Sequence, residues 1–301
     1  RPPDIPDGWN PVGSYLRNFK VPKSWKGQRV TLHFGAVKSA FFVWVNGQKV
    51  GYSQGSKLPA EFDVTDALKN GENTLALEVY RWSDGSFLEC QDFWRLSGIE
   101  REVWLQARPE VHLADVQVLA GLENQYSDGV LSIALDIAHL GKQPFGGTAK
   151  CILSRGGKEA AEATLPLRVS PGDTARFTWR QNLPSVRTWT AETPHLYELD
   201  IVLMDGNSNT AEATRIEVGF RDIRIEDGLV KVNGKALLIK GTNRHEHHPE
   251  TGHVIDRATM EADIQTLKAH NFNAVRTSHY PNHPYWYTLC DRYGLYVVDE
   301  A

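Results

Sequence analysis

The hydrophobic period changes near residue 223, and this limits the possible folds more than any other feature of the 301-residue sequence. Before that point apolar side chains recur every second residue, the period of a strand with one buried face. Residues 29–34, 41–45, 48–52 and 74–80 follow this rhythm, and Asn46-Gly47 lies between two of the runs. Asn-Gly favours a type I′ hairpin, because that turn needs positive φ at both central positions. With Val103-Trp104-Leu105 closing the unit near Pro109, residues 1–109 read as an all-β sandwich or jelly roll without helical period. Residues 110–222 continue in the same style. Strands are expected at 116–119, 131–137 and 199–203, with turns at Gly146-Gly147, Gly156-Gly157, Pro171-Gly172 and Asp205-Gly206. Such a series of short strands suggests an immunoglobulin-like sandwich, here without the Cys…Trp…Cys spacing of antibody domains.

From residue 223 onward strands and helices alternate. Residues 229–232, Asn233-Gly234 and Leu237-Leu238-Ile239 predict a hairpin that leads into a buried strand. Asp256 can cap a helix whose apolar face is Met260, Ile264 and Leu267. A short strand over 273–276, a helix over 285–292 that stops near Gly294, and a strand over 295–298 complete the series. That order requires parallel βαβ units, met equally by a barrel and by an open doubly wound sheet. No Gly-rich phosphate loop is present to support a nucleotide-binding fold.

Composition excludes several functions. The formal net charge is -4 with both signs interspersed, so the basic stripe of a nucleic-acid binder is missing. No run of about 18 apolar residues suits a membrane span. Cys90, Cys151 and Cys290 are far apart and odd in number, and read as reduced thiols rather than as a disulfide framework or metal site. The chain opens on Arg1-Pro2-Pro3 and stops at Ala301 directly after a strand-like run, so it is expected to be a piece of a longer protein.

The polar chemistry gathers in three loops that follow the late strands. They are Gly241 to His248, Arg276 to Pro281, and Asp299-Glu300; seven of the eleven histidines fall between 245 and 283. In a β/α barrel such loops share one rim and carry the site. Two motifs there and elsewhere are decoys. His245-Glu246-His247-His248 begins like a zinc-binding HExxH, but Pro249 takes the second histidine's place and the segment is not a helix. Gly51-Tyr52-Ser53-Gln54-Gly55 matches a nucleophile elbow, but it follows a hairpin in an all-β region. The stretch Arg81 to Arg95 is a long polar–aromatic loop able to reach a neighbouring unit.

These residues carry a family resemblance. Gly241 to Pro249, Asn271 to Pro284 and Trp286 to Ala301 are similar to the bacterial β-galactosidases of the lactose-operon type, in glycoside hydrolase family 2, and Arg81 to Gly98 resembles their first-domain loop. The resemblance is weakest from about 115 to 185 and strongest after 219. It implies a multi-domain, mainly β chain: a jelly-roll sandwich over 1–109, an immunoglobulin-like sandwich over 110–222, and over 223–301 the start of a (β/α)8 TIM barrel, truncated. It also implies retaining hydrolysis of terminal β-galactose residues by the longer protein. Asp92 then resembles a ligand of both a galactose hydroxyl and sodium, and His245 and His279 resemble donors to the galactosyl hydroxyls. Arg276 resembles a neighbour that keeps the nucleophile ionised, while Glu246 and Glu300 read as supporting groups.

No residue of this chain is then the catalytic acid or nucleophile: both glutamates, and the magnesium ligands, are expected beyond residue 301. The chain alone should be inactive. The resemblance further implies Mg2+ and Na+ as cofactors, a homo-oligomer and a favoured cytoplasmic location. A β-glucuronidase or β-mannosidase of the same family, or a carbohydrate-binding fragment without catalysis, are the competing readings. The edge left near Val298 should make the part after residue 223 associate or be partly disordered.

Overall fold

The structure is a computed structural model that describes residues 8–89, 92 and 94–300; Cys90 lies outside them. In the first unit two antiparallel sheets face each other. One orders the strands Val12–Lys20, Glu72–Tyr80, Ala40–Val45 and Gln48–Gln54; the other orders Ala60–Asp63, Arg29–Phe34 and Val103–Arg108. Alternation decides the faces. Val30, Leu32 and Phe34 from one sheet meet Phe41, Val43, Leu77 and Val79 from the other in a common core. Asn46 and Gly47 take φ of 52° and 83°, so the two-residue hairpin has the expected left-handed pair. Ser53 sits inside the strand Gln48–Gln54, which is no strand-to-helix elbow. The period-two reading overlooked the strand Val12–Lys20 and the one-turn helix Ser86–Glu89. Val12–Lys20 is exposed along nearly its whole length, so it has no buried face to betray it.

The second unit is a three-plus-four sandwich. Val111–Glu123, Asp128–His139 and Thr174–Leu183 form one sheet; Lys158–Val169, Phe145–Arg155, Tyr197–Asp205 and Thr210–Val218 form the other. Leu131, Ile133, Leu135 and Ile137 point inward against Leu199, Ile201 and Leu203, all essentially without solvent contact. Cys151 is buried in this core, and burial pushes its thiol up to about 11, which leaves it inert. The turn expected at Gly146-Gly147 does not exist, because both residues lie within the strand Phe145–Arg155. The pair marks a close approach instead. A Cβ on Gly147 would stand 2.1 Å from the Met204 carbonyl oxygen on the neighbouring strand.

The third unit joins Gly241–Arg244, Ala274–Thr277 and Tyr296–Val298 in a parallel sheet, with helices Arg257–Ala269 and Pro284–Tyr293 as the crossovers. Asp256 caps the first helix by accepting from the Thr259 N–H at 2.8 Å, and Met260 and Ile264 bury its apolar face. The second helix ends on Gly294 in the left-handed conformation. Asn233-Gly234 forms the expected tight hairpin.

The barrel strand, however, starts at Gly241 and not at Leu237. The Asn273 side chain occupies the ladder there, donating to the Leu238 carbonyl and accepting from the Lys240 N–H. Leu238 and Ile239, just before the strand, are exposed. Among the described residues Gly241–Arg244 and Tyr296–Val298 each pair with one neighbour, and so form the two edges of this sheet. Among the described residues, no helix is long and apolar enough to cross a membrane.

Candidate active site

Parallel strands send their C-terminal ends the same way, so the three loops meet on one rim. His279 stands at its centre, held through one ring nitrogen. Its Nδ1 lies 3.0 Å from Glu300 Oε1, which orients the ring and turns Nε2 outward to within 3.6 Å of Asp92 Oδ2. Arg276 Nη2 stands 2.8 Å from the other Glu300 oxygen, an ion pair without hydrogen-bond alignment. Glu300 thus serves two neighbours at once, and its backbone N–H is held by Thr277 Oγ1 at 3.0 Å. Asp299 accepts from Thr277 and from the Tyr287 hydroxyl, which burial and then that carboxylate push well above the ordinary phenol range. Asp92 comes from the first sandwich, and its side chain is 94% exposed.

His245 packs edge-on to His279, with 5.2 Å between ring centroids. His247 lies parallel to His245 at 4.7 Å, and Trp94 covers it at 3.9 Å with an interplanar angle of 1°. The Arg81 to Arg95 loop therefore does reach the barrel, with Asp92 at His279 and Trp94 on His247. Among the described residues, His245 Nδ1 and His247 Nε2 are buried without a hydrogen-bond partner. Burial, then the neighbouring histidines, hold His245 below the ordinary range and bring His247 down to about 4.

The lowered value of His247 makes a test in pH. An unfolded chain takes up this proton below about 6.5, whereas the folded chain resists it until about 4. The unfolded state binds more protons in that window, so stability falls as pH falls through it. The urea midpoint of the wild-type chain should therefore drop more between about pH 7 and about pH 4.5 than that of His247→Gln. Equal drops would place His247 in an ordinary environment.

Glu246 is the expected site residue that the structure takes off the rim. Its side chain is 1% exposed and turns inward to Arg101 at 3.0 Å and to the His283 N–H at 2.6 Å. Asp92, His245, Arg276, His279 and Glu300 do come together. Arg101 and Lys57 were not singled out by sequence, because an isolated charge beside a strand carries no periodic or motif signal; Trp94 was legible only as part of its loop.

The donor set offers little to a metal. Among the described residues no group of three or more His, Cys, Asp or Glu is arranged to hold one. Asp92, an exposed carboxylate, offers one oxygen to a sodium shell.

Comparison with known proteins places this geometry. The profile described as "Glycosyl hydrolases family 2, sugar binding domain" matches residues 1–109, "Glycosyl hydrolases family 2" matches 111–221, and "Glycosyl hydrolases family 2, TIM barrel domain" matches 223–301. The chain belongs to glycosyl hydrolase family 2. Within this family it is 46% identical over 303 residues to a β-galactosidase of Priestia megaterium, and 47% identical over 310 residues to one of Enterobacter cloacae. All of the chain is covered in both, but it spans only 29% and 30% of those relatives' length. A Bacteroides uniformis β-glucuronidase shares the fold with a TM-score of 0.91 at 23% identity, over 97% of this chain and 36% of that one. A Bifidobacterium dentium β-glucuronidase superposes with a TM-score of 0.87 at 25% identity, over 97% and 53%. Family 2 membership fits the order of two sandwiches followed by a parallel β/α start.

Proposed function

We propose that the rim binds the terminal sugar of a β-galactoside for a retaining glycosidase, homo-oligomeric in its whole form, whose two reacting carboxyl groups lie outside this chain. The observation that carries this reading is the His279 ring fixed by Glu300, with its Nε2 turned toward the exposed Asp92 carboxylate. A single sugar hydroxyl at the mouth of this 3.6 Å gap can bond both to Nε2 and to that carboxylate. His245 beside it, held neutral by burial, adds a second imidazole edge. Retaining hydrolysis needs two carboxyl groups about 5–5.5 Å apart, one of them free to attack. Glu300 is engaged by Arg276 and His279, and Asp299 by Thr277 and Tyr287. That engagement suits positioning rather than attack.

Charge favours a neutral sugar over a uronic acid. Arg276 is paired with Glu300, Lys57 with Glu100 and Arg101 with Glu246, while the exposed Asp92 carboxylate would repel a uronate. Asp92 supplies one oxygen if the longer protein uses sodium, and magnesium belongs to ligands outside the chain.

Titration calorimetry of the folded chain with galactose and with glucuronic acid tests the reading. Galactose should bind weakly, Asp92→Asn should weaken it further, and glucuronic acid should not bind. Equal binding of both sugars, or no effect of Asp92→Asn, would remove this assignment.

A further inference from the structure

Arg101 stands just before Val103–Arg108, the last strand of the first sandwich, yet its guanidinium is buried against the barrel loops. One edge, Nη2, donates to Glu246 Oε2 at 3.0 Å and to the Pro281 carbonyl at 2.7 Å, while Nη1 donates to the Lys57 carbonyl at 3.0 Å. The Arg101 and Glu246 side chains are 7% and 1% exposed. Glu246 is the residue next to His245, and Pro281 stands two residues after His279. The other Glu246 oxygen holds the His283 N–H, so one carboxylate ties both loops together. A planar fork with several fixed donors suits such a junction, and a lysine ammonium cannot reproduce it.

We infer that Arg101 is a positioning residue: through Glu246 and Pro281 the first sandwich sets the spacing of His245 and His279. This rests on the reading of the rim as a sugar site. An active site is sensitive to such spacing, because a displacement of about 1 Å can cost on the order of a hundredfold in rate. Contacts that matter chiefly in the transition state lower kcat more than they raise KM.

The test is steady-state hydrolysis of a nitrophenyl β-galactoside by a protein carrying this chain joined to a complete barrel. Arg101→Lys and Glu246→Gln should each lower kcat by about tenfold to a hundredfold, with KM changed by less than about threefold. Combining them should add little, since each breaks the same junction. Unchanged kcat in either folded variant, or full rescue by lysine, would overturn the inference. Should Arg101→Lys not fold, Glu246→Gln alone decides. A wild-type protein silent on β-galactosides would count against the sugar reading. The imidazole nitrogen resonances of His245 and His279 then decide, measured in the 301-residue chain. They should move in Glu246→Gln, and unmoved signals would overturn the positioning role.

Discussion

His279→Ala, in a protein carrying this chain and a complete barrel, is expected to lower kcat for a β-galactoside by about 10²–10³-fold. The magnitude follows from preorganisation. The ring is fixed before substrate arrives, with Nδ1 at 3.0 Å from Glu300, and Glu300 is itself fixed by Arg276 at 2.8 Å. A group held this firmly costs no reorganisation as the sugar distorts toward its transition state, so its bond can strengthen there. Alanine removes the bond and leaves water in its place. Steady-state kinetics would show the loss mainly in kcat, because the contact favours the transition state over bound substrate. A loss below about threefold would mean that the sugar lies elsewhere on the rim.

Lys57→Ala is expected to destabilise the first sandwich by about 3–5 kcal/mol. Lys57 and Glu100 form an ion pair whose side chains are only 6% and 5% exposed. Burial depresses the Lys57 amine below its usual range, against the pull of Glu100. Its ammonium also stands 4.2 Å from the centre of the Tyr280 ring, so the pair lies on the path from sandwich to rim. Removing one partner leaves Glu100 as a buried, uncompensated carboxylate. Replacing both, as Lys57→Met with Glu100→Leu, should recover most of the loss, because two apolar chains carry no desolvation cost. Urea denaturation of the three proteins measures this. A single variant within about 1 kcal/mol of wild type would show that the pair is hydrated.

The parts of the fold that sequence made legible are those where one local rule acts alone. Asn46-Gly47 and Asn233-Gly234 gave their hairpins because positive φ at two successive residues admits few alternatives. Asp256 gave its helix start because a carboxylate there satisfies an otherwise orphaned N–H. Gly146-Gly147 misled because glycine serves turns and close approaches alike, and only the neighbouring Met204 carbonyl distinguishes them. Leu237 to Ile239 misled because an apolar run reads as buried whether or not a partner covers it; here a side chain, Asn273, took the ladder positions.

The site divides in the same way. His245, His279, Arg276 and Glu300 were legible because strand ends of one parallel sheet share a rim, and Asp92 through the resemblance of its loop. Whether Glu246 faces the sugar or the protein interior depends on Arg101, which lies 145 positions away in the chain. No local pattern encodes that pairing.

The most direct test of the central claim is hydrolysis of a nitrophenyl β-galactoside by the folded 301-residue chain, compared with the same chain joined to a complete barrel. The account predicts no turnover by the chain alone and turnover by the extended protein. Turnover by the chain alone would contradict it, and would make Glu300 and Asp92, the carboxylates that meet at His279, the first to examine as the reacting pair.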